Sequence, residues 1–153
     1  MEIELPNKEL HNFIIENLEN NKNLPLNIEL IKLENINSEI CYLYFFKNDK
    51  SNRVIIIYIY FPCFTVFFQL SNEKKSFDLI SYLHYLNRDY ELKNYFNQYL
   101  RSKESEEVVK YTRLDCAKDS ILLFVKYLET DLLEVAKGDK WLEIPSYMEG
   151  YYD

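Results

Sequence analysis

Two histidines, His11 and His84, and three cysteines, Cys41, Cys63 and Cys116, are the residues best suited to ligate a metal or attack an electrophile. A zinc site gathers several such ligands at short spacings. Neither histidine has a companion at i+3 or i+4, and no C-x-x-C or H-E-x-x-H occurs. His84 in "SYLHYLN" therefore reads as a packing residue. Cys116 stands at the start of an expected helix, where a thiolate is favoured. The neighbouring Asp115 opposes that charge, and no histidine is close in sequence. Cys41 and Cys63 fall in apolar, strand-like runs and read as inert core. With glycine only at 138 and 150, a G-x-S-x-G elbow or a phosphate-cradling glycine loop cannot be built.

Carboxylates are more plentiful: Glu104, Glu106 and Glu107; Glu129 and Asp131; Asp139 and Glu143. General acid–base work needs two of them in a dry pocket at fixed separation. These groups fall in an expected loop, a solvent face and a tail, where charged side chains are ordinarily hydrated. The residues thus point away from an enzyme, a metal or a cofactor, and toward binding.

The charge says what kind of binding. The net charge is −7, unevenly spread. Residues 1–39 carry three Lys and eight Glu, residues 40–100 seven cations and five acids, and residues 127–153 two Lys and seven acids. A nucleic-acid surface needs a basic stripe to displace counterions. Lys47, Lys50, Arg53, Lys74 and Lys75, with aromatics beside them, could gather near one end of a sheet, but they are a thin cationic set. The C-terminal region combines Glu129, Asp131, Glu134, Asp139, Glu143 and Glu149 with Trp141 and Tyr147. Asp153, Tyr151 and Tyr152 continue the pattern. Acids around aromatic anchors suit an interface to a basic protein. The competing reading is a solvated tail whose Trp141 folds back onto the sheet.

The elements that would position these residues follow from hydrophobic period. Leu10, Phe13, Ile14 and Leu18 share one helical face, with Asn7 as N-cap and Asn20–Asn21 as a stop. "LPLNIELIKLEN" and "EICYLYFFK" are rich in strand formers. "KNDKSN" has hairpin chemistry and links the second run to "RVIIIYIYF". The apolar run Val54–Phe68 has 15 residues, short of the roughly 20 of a membrane helix. Pro62 divides it into strands Arg53–Phe61 and Phe64–Leu70, and its unbroken apolarity implies cover on both sheet faces.

Beyond Leu70 the period becomes helical. Ser71 or Asn72 is the expected cap, with a break near Asn87–Asp89. "RSKESEEVV" reads as a connector. "LDCAKDSILLFVKYLETDLLEVAKG" is the strongest helix, with Asp115 as N-cap and Lys137–Gly138 as its stop. A helix, consecutive strands, then helices define an α+β fold. The expectation is an N-terminal helix, an antiparallel sheet of about four strands and C-terminal helices packed on it, within one domain spanning 1–153. The N-terminus "MEIELPNKEL" has no signal-peptide pattern, and the cysteines make no disulfide framework. Both favour a cytoplasmic protein with no membrane partner.

An acidic α+β chain ending in "YLETDLLEVAKGDKWLEIPSY" resembles the small immunity proteins of bacterial polymorphic toxin systems. The resemblance rests on this layout and on a long helix followed by Gly138, Asp139 and Trp141. It implies a non-enzymatic protein that binds one cognate toxin and blocks its active site or substrate groove. The acidity suggests a basic toxin, such as a nuclease. Contact residues vary among such families, so none carries over. An acidic secretion chaperone, dimeric and holding a partner's extended segment against its sheet, shares the same composition. An enzyme with an unfamiliar site is the third reading.

Overall fold

The computed structural model describes residues 7–36, 39–48, 50–61, 63–104 and 111–145. Helix α1 (Lys8–Asn17) opens with the Asn7 side chain accepting from Leu10 N–H at 2.9 Å. That bond satisfies one of the first unpaired donors of the helix. Strands β1 (Asn27–Ile36), β2 (Glu39–Lys47), β3 (Val54–Phe61), β4 (Thr65–Ser71) and β5 (Ser76–Asp78) follow. They pair antiparallel in sequence order, β1-β2-β3-β4-β5. Helices α2 (Leu79–Tyr85), α3 (Tyr90–Glu104), α4 (Arg113–Glu129) and α5 (Leu133–Lys137) complete the chain. The fold is α+β, as the sequence implies, with five strands instead of four.

The fifth strand comes from a stretch that reads as helix. Asn72 does not cap a helix; its Oδ1 accepts from Lys74 N–H at 2.8 Å and Lys75 N–H at 2.6 Å, closing a tight turn. The turn returns Phe77 to pair with Leu70, and Asp78 then caps α2 by accepting from Ser81 N–H at 2.6 Å. The break between α2 and α3 falls where expected, with Asn87 at a φ of 58°. Helix α3 runs through Arg101 to Glu104, so the first residues of the supposed connector are helical. Residues 105–110 lie outside the described residues.

The long C-terminal helix is two helices. Thr112, not Asp115, is the N-cap of α4: its hydroxyl accepts from Asp115 N–H at 3.1 Å, while Asp115 accepts from Thr112 N–H at 2.9 Å. This reciprocal pair is a capping box. At the other end Thr130 turns its hydroxyl onto Lys126 O at 2.7 Å, and the chain bends before α5. A β-branched residue that bonds its own backbone is a poor helix interior.

The core draws on one face of the sheet. Tyr42, Tyr44 and Phe46, then Ile55, Ile57 and Ile59, then Phe68 and Leu70 are buried with Leu10, Ile14, Ile121, Phe124 and Leu128 of the helices. Phe68 and Phe124 stack at 4.5 Å. The other face presents Leu43, Phe45, Ile56, Tyr58, Tyr60 and Phe67, and none of these joins that core. The cover expected on both faces is therefore complete on one and partial on the other, where Cys41 and Leu43 of β2 are buried but Phe67 is 40% exposed. No described helix is long and apolar enough to cross a membrane.

Candidate functional site

The C-terminal candidates are held by a short helix anchored at one end of the sheet. The last carbonyls of a helix have no partner within it. In α5 they are met from the β2–β3 loop. Asn48, only 2% exposed, donates from Nδ2 to Ala136 O at 3.0 Å and Lys137 O at 3.2 Å. Arg53 donates from Nε to Val135 O at 2.9 Å and from Nη2 to Lys140 O at 3.1 Å. Its guanidinium lies 5.1 Å from the Trp141 ring centroid, within cation–π range. Lys137 and Gly138 end the helix as the sequence implies, with Gly138 at a φ of 93°. Glycine is required twice over, because a Cβ here would stand 2.4 Å from Ser51 Cβ.

This scaffold separates the acidic candidates. Glu129 accepts from Asn21 at 2.8 Å and Asn23 at 3.4 Å, tying α4 to the end of α1. Asp131, Glu134 and Asp139 are exposed around α5, with Lys140 3.6 Å from Glu134. Trp141 is half-buried against Phe77, with ring centroids 5.1 Å apart. Glu143 is exposed and pairs with Lys75 at 2.7 Å. Tyr147 and Glu149 lie outside the described residues.

Cations interleave with these acids. Lys47 and Lys50, Arg53, Lys74 and Lys75 do gather at one sheet end, because the β2–β3 and β4–β5 connections both lie there. Arg53, Lys74 and Lys75 line an open recess of about 280 Å³ with Asn52, Asn72, Glu73, Trp141 and Glu143. The surface is thus of mixed sign. Glu2, Glu4, Asp49, Glu106, Glu107, Glu149 and Asp153, offset by Lys110, hold all but one of the excess negative charges and lie outside the described residues. Exposed ion pairs contribute little. Glu134 and Glu143 can therefore exchange their lysines for a partner's cations at small cost.

The other reactive residues do not converge. Among the described residues no group of three or more His, Cys, Asp or Glu is arranged to hold a metal ion. Cys41 is buried, and burial pushes its thiol up. Cys116 is likewise raised by burial, which outweighs the nearby Arg113 charge. Cys63 is exposed in the β3–β4 turn, not in the core. The strand ends at Phe61, before the cysteine is reached. His11 Nδ1 lies 2.9 Å from the Tyr44 hydroxyl, and burial lowers its pKa. His84 is exposed beside Asp89 at 3.9 Å.

Two phenols, Tyr127 buried and Tyr111 half-buried, went unmarked in the sequence. Tyr127 donates to Glu91, joining α4 to α3, and burial followed by that carboxylate pushes its pKa up to about 12. Tyr111 donates to Asp119 and is raised for the same reasons in the same order. Both phenols stay protonated and act as donors that fasten helices. Nothing local marks Asn48, Arg53 or Tyr127, because their partners lie tens of residues away. The chain matches no known protein family, no curated protein and no solved structure.

Proposed function

We propose that this protein is a non-enzymatic binding protein of the immunity type, which neutralises a cognate toxin by direct contact. The observation that supports the reading is the rigid presentation of Asp131, Glu134 and Asp139. These exposed carboxylates surround a helix whose end is fixed by Asn48 and Arg53. Preorganised surface charge favours steered association with a basic partner and loses little entropy on docking. The Trp141 face, flanked by Arg53 and Glu143, supplies an aromatic anchor beside them.

Survival tests the reading. The C-terminal domain encoded by the gene immediately upstream is expressed in a test bacterium with and without this protein. Killing that this protein prevents is the expected result. Lysine at Glu134, Asp139 and Glu143 together should then abolish rescue while leaving the circular dichroism spectrum unchanged. A harmless domain, or one that kills regardless, overturns the proposal.

A further inference from the structure

We infer that the open face of the sheet is where two copies of this chain meet, sheet against sheet. The inference does not depend on the toxin reading. The residues form rows across the sheet: Leu43, Tyr58 and Phe67 in one, and Phe45, Ile56 and Gln69 in the next. Phe67 is 40% exposed, while Leu43 at 6% is already buried among its neighbours. Phe45, Ile56, Tyr58 and Tyr60 are half-buried, with no described helix over them.

The polar atoms on this face are largely occupied sideways. Tyr58 donates its hydroxyl to Gln69 Oε1 at 2.8 Å. Tyr60 meets Phe67 edge-on at 5.7 Å between centroids. The aromatic side chains are therefore braced by their neighbours, and docking would immobilise little that is still free. Charge is confined to the margins. Lys32 and Glu34 pair with each other on β1 at 2.9 Å, Lys47 and Glu39 stand at the two ends of β2, and Asp78 on β5 is engaged in capping α2. An aromatic centre with a charged rim is the anatomy of a protein interface.

Three arguments select a second copy as the occupant. A two-fold interface places one patch against itself, so it must not repel itself. Although the chain carries −7, the charges of this face nearly balance, with Lys32 and Lys47 set against Glu34, Glu39 and Asp78. A basic partner would find little here to attract it. The second argument is area. At about 4.8 Å between strands and 3.3 Å per residue, four strands of about seven residues span on the order of 450 Å² per copy when flattened. Side-chain relief raises the buried total for a pair to roughly 1,200 Å², where specific interfaces begin. Third, aligned packing of two twisted sheets is an established way to bury apolar faces.

Sedimentation equilibrium from about 1 to 100 µM covers the affinities that such an area supports. The wild-type chain should approach twice 18.6 kDa. Phe67→Glu and Tyr60→Glu should each weaken association by at least about tenfold, with an unchanged circular dichroism spectrum. Phe96→Glu on α3, where the parent side chain is 44% exposed in the helical layer, should leave the doubled mass intact. A wild-type mass of 18.6 kDa throughout overturns the inference and frees the face for a different chain. A doubled mass that survives both sheet variants, or is lost with Phe96→Glu, overturns it equally.

Discussion

The two faces of the sheet are built from the same residue types and end in opposite surroundings. Along β3, Ile55, Ile57 and Ile59 are at most 1% exposed beneath the helices. Ile56, Tyr58 and Tyr60, one step out of phase, lie on the open side. Strand geometry guarantees the alternation but not which side is covered. Cover depends on where helices with apolar stripes can reach, and α4 brings Phe124 to Phe68 on one side only. Apolar composition alone therefore does not establish that a face is interior.

The strongest way to break this comparison is to empty the covered face. Phe124→Ala removes a ring that is 0% exposed, and should cost about 3–5 kcal/mol in urea unfolding. A cost below about 1 kcal/mol would mean that the covered face is not the core. Phe67→Ala on the open face should cost under about 1 kcal/mol when measured where the mass is 18.6 kDa. Equal costs at the two sites would erase the distinction.

The smallest effect sharpens the comparison through pH. His11 lies against Tyr44 on the covered side, where burial lowers its pKa below 6.5 and Glu19 only partly offsets this. The unfolded chain then binds the proton more readily than the fold does. The contribution is fully present above the unfolded value of 6.5 and is lost as pH falls toward the folded one. Urea midpoints should rise shallowly with pH across this window, and His11→Asn should flatten the rise. An unchanged slope in the variant would remove His11 as its source.

Much of the fold was legible because its signals were local. Asn7, the β2–β3 hairpin, the division of the apolar run between Phe61 and Thr65, and the Lys137–Gly138 stop each follow from a few adjacent residues. What escaped was short or remote. Three residues, Ser76–Asp78, cannot display a strand period. Thr112 and Asp115 bond reciprocally, so the aspartate that reads as the cap is the N3 partner of the threonine that is one. The acids around α5 were legible as residues, but their surroundings were not. Lys75 reaches Glu143 across 68 positions, and Asn21 reaches Glu129 across 108. A charge count along the chain misses such pairings.

The anchoring of α5 also bears on the order of events in folding. The β2–β3 hairpin needs only neighbouring residues, and hairpins form in about 1–10 µs. The bonds from Asn48 and Arg53 to α5 join groups 88 and 82 positions apart, so they must wait for most of the chain to collapse. Contacts made after the barrier leave the folding rate almost untouched and slow unfolding instead. The asparagine and arginine of one small loop thus act chiefly on how long the folded protein lasts, and little on how fast it forms.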